Sequence, residues 1–127
     1  MIALLMVTWI NIMKEIGVTP RVLADDLMFT ANGEGHRAYT IKAMSTSRQF
    51  FYDIGAKVAD NKCFTFATDA PTRKFLSRHH WDGDGLIIPC VNNFRDLGTH
   101  LNFTKAMNGA TLTERMRKAT AMAKRLR

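Results

Sequence analysis

The chain has 127 residues, the length of a single domain. A hydrophobic fraction of 46% and an aromatic fraction of 9% are enough to build a core, and nothing in them indicates the disordered or fibrous classes. The 18 Lys and Arg residues exceed the 11 Asp and Glu residues, and the net charge of +7 favours polyanionic partners without specifying a fold. Cys63 and Cys90 lack metal-site spacing and indicate reduced thiols in a reducing compartment.

The first segment is apolar on nearly all sides. Residues 2–16 predict a buried helix that stops at Gly17, with Pro20 shortly after it. The apolar run from Met1 to Ile10 is too short to cross a bilayer, and it has neither a basic leader nor a cleavage site. We therefore expect no signal peptide, no transmembrane segment and no membrane partner, and an intracellular location in the nucleus or cytoplasm.

Two short apolar runs flank Asp25-Asp26 and predict a β-hairpin over residues 21–30. Asp-Asp is a poor hairpin turn, because neither residue takes positive φ freely and the two carboxylates repel each other. A pair of carboxylates on a tight turn can hold divalent cations, as nucleotidyl transfer requires. Taken alone, such a pair is more often a solvated turn.

Further elements follow in the middle of the chain. A helix is predicted over residues 36–54, ending at Gly55, with an apolar face near Ala38. The members of that face are Ile41, Met44, Phe51 and Ile54. Val58 and residues 63–67 predict strands around a turn at Asp60-Asn61. A short helix is predicted over residues 72–80, begun at 69–71 with Pro71 near its first position.

The last third predicts a strand at 86–88, a hairpin over 94–103 bent at Gly98, and a helix over 111–127. Thr111 and Glu114 match a capping box at the start of that helix. An apolar stripe follows at helical spacing: Leu112, Met116, Ala119, Ala123 and Leu126. Helices mixed with hairpin strands predict an α+β fold.

The final helix is strongly basic. Its cations are Arg115, Arg117, Lys118, Lys124, Arg125 and Arg127, against Glu114 alone. They can contact the phosphate backbone of a nucleic-acid duplex without sequence choice. A solvated polar face opposite the stripe explains them equally well. A membrane-surface helix is less favoured, because the apolar face has no Trp or Phe.

Three short segments stand out by their motifs. They are Leu23-Ala24-Asp25-Asp26, residues 55–62 with the sequence GAKVADNK, and residues 94–98 with the sequence FRDLG. They resemble, in order, the xADD of motif C, the GLKVNxxK of motif D and the FKYLG of motif E, the primer grip, of reverse transcriptases of the non-LTR retrotransposon type. The basic C-terminal helix is similar to the one that leads into the thumb in that family.

The resemblance implies a partial polymerase palm spanning the whole chain. Residues 1–19 would be the helix after motif B, 21–30 the motif C hairpin, 36–54 the next helix and 55–67 motif D. Residues 86–103 would form a strand with motif E, and 111–127 the start of the thumb. Motifs A and B would lie upstream of Met1, so the resemblance implies that this chain alone does not polymerise.

Roles for individual residues also come from the resemblance. Asp25 would ligate two Mg²⁺ or Mn²⁺ ions, weakly without the motif A aspartate, with Asp26 beside them as a secondary ligand or structural carboxylate. Lys62 would approach the triphosphate of the incoming dNTP and donate a proton to pyrophosphate. The primer grip would be shaped by Phe94, Leu97 and Gly98. The RNA template and DNA primer duplex would lie against Arg115, Lys118, Lys124 and Arg125.

This sequence departs from the family at two positions. Leu23 and Asp96 stand where the family has aromatic residues, which indicates a divergent lineage. Two alternative functions are a non-catalytic basic module that binds nucleic acid and an inert retroelement remnant. In the remnant, the first helix and hairpin would expose apolar surface.

Overall fold

Helices alternate with short strand pairs along the chain. The computed structural model describes residues 2–23, 26–81, 85–96, 99–103 and 110–125. The helices of this part are α1 (Ile2–Ile16), α2 (His36–Asp53), α3 (Ala70–Leu76) and α4 (Ala110–Arg125). The strands are β1 (Thr19–Leu23), β2 (Asp26–Thr30), β3 (His80–Trp81), β4 (Leu86–Ile87), β5 (Asn93–Asp96) and β6 (Thr99–Asn102).

Each strand pairs with its neighbour in sequence, so the described residues form three separate two-stranded sheets. The β1–β2 and β5–β6 pairs are antiparallel. This mixture of helices and small hairpins confirms the α+β class, and it confirms the predicted hairpins over 21–30 and 94–103. No described helix is both long and apolar enough to cross a membrane.

The chain divides into two compact units. The first unit comprises Met1–Lys62 and His80–Leu86, and the second comprises Cys63–His79 and Ile87–Arg127.

The core of the first unit lies along one face of α1. Trp9, Met13 and Ile16 recur at helical spacing and are buried with Val18 and Ala43. Other apolar side chains of α1 lie outside this core: Leu4 is 75% exposed and Val7 is 53% exposed. The prediction of a helix buried on nearly all sides was therefore wrong, because α1 packs along a single stripe.

The buried face of α2 also differs from the prediction. Its fully buried residues are Ala43 and Ser47, whereas Ala38 is exposed and Ile54 lies beyond the helix and is 37% exposed. Ser47 is buried because it is hydrogen-bonded. Its Oγ accepts a bond from Trp9 Nε1 at 3.0 Å and donates one to Met13 Sδ at 3.4 Å. A search for apolar residues misses such a contact.

The strands predicted around Asp60-Asn61 are replaced by a short 3₁₀-helix, Asp60–Lys62. Arg48 on α2 holds this turn, since its Nη1 lies 2.6 Å from the carboxylate of Asp60. Farther along, only Thr65 of the predicted strand residues 63–67 pairs, in an isolated parallel bridge with Cys90.

That bridge joins the two segments of the second unit. Thr65 N donates to Pro89 O and Val91 N donates to Thr65 O, both at 2.8 Å. Thr65, Thr72, Leu76 and Ile88 are buried. The carboxylate of Asp69 caps α3 by accepting a bond from Thr72 N at 2.8 Å. The helix ends at Leu76, earlier than the predicted His80, while Cys63 and Cys90 are half-buried and not disulfide-bonded.

Candidate functional site

The β1–β2 hairpin carries the predicted metal-binding turn. Its register pairs Leu23 with Asp26 and Val22 with Leu27. Asp26 is therefore paired within a strand and does not lie at the centre of a turn, as the Asp25-Asp26 prediction required. Ala24 and Asp25 lie outside the described residues. Asp26 is exposed and is already the first residue of β2.

The hairpin is fixed by its inner face. Residues opposite each other in an antiparallel pair project to the same side, and successive residues project to alternate sides. Val22, Leu27 and Phe29 pack against the core cluster of the first unit. Leu23 and Asp26 are consequently on the outer side, where Leu23 is 42% exposed. The strand alternation thus presents the Asp26 carboxylate to solvent.

Lys62 lies in the same unit, at the end of the 3₁₀-helix, and it is exposed. Its main-chain N–H donates to Ala59 O at 2.9 Å. Among the described residues no ion pair joins the side chains of Lys62 and Asp26. Within the same described ranges, no group of three or more His, Cys, Asp or Glu side chains could hold a metal ion.

The predicted primer-grip residue Phe94 lies in β5, opposite Leu101 of β6. Leu97 and Gly98, the other two residues of that prediction, lie outside the described residues. Phe94 also belongs to an aromatic cluster that the sequence did not predict. Its members are Phe64, Phe66, Phe94 and Phe103. The alternation Phe64-Thr65-Phe66 was the available signal, because period-two spacing puts both rings on one side.

The predicted backbone-binding residues lie on α4. Arg115, Lys118 and Lys124 are exposed, and Arg125 is the last residue of the helix, its side chain outside the described set. Lys118 Nζ lies 2.8 Å from a carboxylate oxygen of Glu114, one turn earlier. The predicted apolar stripe is not a buried face over the described residues 113–124, since all of them are exposed and Met116 is 63% exposed.

Positive charge is distributed unequally between the two units. The second unit has 11 Lys and Arg against 3 Asp and Glu, a net charge of +8. The first has 7 Lys and Arg against 8 Asp and Glu, a net charge of −1. The candidate metal ligands therefore belong to a nearly neutral unit, and the whole cationic excess belongs to the other.

Comparisons with models of protein families, with curated proteins and with solved structures found no match to this chain.

Proposed function

We propose that this chain is part of an RNA-directed DNA polymerase of the non-LTR retroelement type, and that Asp25-Asp26 is its metal-binding turn. In the complete enzyme, two metal ions would align the primer 3′-hydroxyl with the α-phosphate of the incoming dNTP and stabilise the leaving pyrophosphate. The supporting observation is the register of the β1–β2 hairpin, which places Asp26 at the first position of β2, opposite Leu23.

Packing of the hairpin supports a site rather than a solvated loop. The inner face rests on a core that includes Trp9 and Met13, 1% and 0% exposed. The backbone that carries Asp26 is therefore held in place, as a metal ligand requires. Mg²⁺ takes hard oxygen ligands and commonly keeps only one or two carboxylates beside substrate phosphates. A site for two such ions needs more oxygen ligands than Asp25 and Asp26 supply, and in the complete enzyme the motif A aspartate would be one of them.

A Mg²⁺ and Mn²⁺ titration of the purified chain tests the metal part of the proposal. We expect weak binding that is lost in Asp25→Asn and reduced in Asp26→Asn. Glu34→Gln is a matched control, because it removes one negative charge from an exposed position of the same unit. Equal loss in the control would mean that the ions respond only to overall charge, and the metal-binding turn would be rejected. Primer extension by this chain alone would contradict the expectation of weak metal binding.

A second candidate function is a non-catalytic module that binds nucleic acid through the second unit. The net charge of +8 in that unit and the solvent exposure of α4 favour it specifically. Duplex binding that tightens with Mg²⁺ and loses that response in Asp25→Asn would support the polymerase. Binding that is salt-sensitive but indifferent to Mg²⁺ and to Asp25→Asn would support the module alone.

A further inference from the structure

The segment 64–66 has an unusual burial pattern. Thr65 is the buried residue, 6% exposed, and the aromatic side chain before it, Phe64, is 40% exposed. Phe66 on the other side is half-buried. Threonine is ordinarily found at the surface and phenylalanine inside. This segment reverses that order and leaves a large aromatic ring in contact with water.

The exposed ring of Phe64 packs against other aromatic rings. Phe64 and Phe94 have ring centroids 4.9 Å apart, and Phe94 lies 5.2 Å from Phe66. Phe66 stacks on Phe103 at 4.8 Å with an interplanar angle of 17°. These separations are typical of favourable aromatic pairs. Phe64 is therefore the outermost ring of a packed set.

The backbone beneath the ring is also fixed. Thr65, the neighbour of Phe64, makes both main-chain hydrogen bonds of the bridge to residues 89–91 at 2.8 Å. Arg73 Nη1 donates to Ala67 O and Thr68 O at 2.9 Å, and to Phe103 O at 3.4 Å. These acceptors are neutral carbonyls, so the guanidinium keeps its positive charge at the edge of the cluster. An exposed ring held in advance has little conformational entropy to lose on binding.

The composition of the second unit specifies the kind of partner. Its net charge of +8 is complementary to a polyanion, and the first unit, at −1, adds nothing to that attraction. Single-stranded nucleic acid combines a phosphate backbone with unpaired bases whose faces stack on aromatic side chains. A duplex offers the phosphates but keeps its base faces stacked inside.

We propose that Phe64 is a stacking platform for an unpaired nucleobase, and that the second unit consequently binds single-stranded nucleic acid in preference to duplex. This deepens the nucleic-acid binding proposed above, but it requires neither a metal ion nor the Asp25-Asp26 turn. The cations of the second unit hold the backbone, and the Phe64 ring accepts one base face.

The test is a fluorescence-anisotropy titration of the full chain with a labelled oligothymidine and with a blunt duplex of the same length, over a series of NaCl concentrations. Phe64→Ala should weaken single-strand binding by roughly 5- to 150-fold, the range expected for one stacked base. The slope of log affinity against log NaCl concentration should be the same for Phe64→Ala as for the unmodified chain, because the substitution removes no charge. Duplex binding should change little.

Three further variants separate stacking from packing. Phe64→Trp should retain or tighten single-strand binding, whereas Phe64→Leu, which stays apolar but has no aromatic face, should weaken it as Phe64→Ala does. Ile87→Ala is the matched control, because Ile87 is an apolar residue of the same unit and is 52% exposed. Ile87→Ala should bind the single-stranded oligothymidine with the same affinity as the unmodified chain.

Several results would overturn the platform. They are unchanged single-strand binding in both Phe64→Ala and Phe64→Leu, equal losses on single strand and duplex, or no binding to the oligothymidine by the unmodified chain. If Phe64→Ala does not fold, the contrast between the folded Trp and Leu variants decides the question. A failure of the polymerase proposal would be recognised differently, by an Asp25→Asn variant that binds Mg²⁺ and Mn²⁺ as the unmodified chain does. That result would not change the expected difference in single-strand binding between Phe64→Trp and Phe64→Leu.

Discussion

The hydrogen bond between Trp9 and Ser47 gives the sharpest test of the core that positions the β1–β2 hairpin. Ser47→Ala removes the acceptor of the Trp9 indole N–H, which is buried and would be left without that partner. An unsatisfied buried donor costs about 1–3 kcal/mol. The loss of the 3.4 Å bond to Met13 Sδ adds little, because sulfur is a weak acceptor. We therefore expect Ser47→Ala to lower the free energy of unfolding by about 2 kcal/mol, and Tm by roughly 5–10 °C.

Alanine also favours helices more than serine does, and that gain must be separated from the loss. Ser45→Ala is the matched control, because Ser45 lies exposed on the same helix two residues earlier. The difference between the two variants isolates the buried hydrogen bond. Urea unfolding followed by tryptophan fluorescence is the appropriate assay, since both tryptophans, Trp9 and Trp81, belong to the first unit. If Ser47→Ala is as stable as Ser45→Ala, the hydrogen bond between Trp9 and Ser47 does not stabilise the core, and the reasoning is refuted.

Three other substitutions test single contacts. Asp69→Ala removes the cap of α3 and should cost about 1 kcal/mol by far-UV circular dichroism in urea, with Asp69→Asn much closer to the unmodified chain. Asp60→Asn breaks the partly exposed ion pair with Arg48 and should cost about 0.2–1 kcal/mol at low salt and less at high salt; a salt-independent loss would contradict a Coulombic origin. Gly17→Ala should lower the free energy of unfolding by about 1–2 kcal/mol in a thermal unfolding experiment, because φ at Gly17 is +98°. The added Cβ would lie 3.8 Å from the Tyr39 ring, an ordinary contact distance, so the cost comes from backbone strain. A neutral Gly17→Ala would mean that the turn relaxes.

Patterns repeated over many residues predicted the elements well. The ends of α1 and α2 were predicted to within about one residue, and both longer hairpins were found. Their signals are local, because periodicity and turn residues are written in adjacent positions. The 3₁₀-helix at Asp60–Lys62 was missed, and its ion pair with Arg48 spans twelve positions with no periodic signal.

Burial was predicted less well than secondary structure. Ser47 is in the core because of a specific donor on Trp9, a fact that hydropathy does not record. The stripe on α4 satisfies helical spacing, yet its member Met116 is 63% exposed. Amphipathic spacing indicates that a helix can be buried on one face, whereas a neighbouring surface is needed for burial to occur. For the proposed metal-binding turn, the sequence correctly predicted the hairpin, but the observed register places Asp26 in the strand and not in the turn.

Pro20 makes the two outer edges of the first hairpin unequal. Proline has no N–H, and in a paired strand it occupies a position whose N–H would point away from the partner. Pro20 of β1, opposite Phe29, therefore removes a donor from the outer edge of that strand. The outer edge of β2 has no proline and keeps its full set of main-chain donors and acceptors. Any additional strand is accordingly better accommodated beside β2, on the side of the hairpin that begins with Asp26.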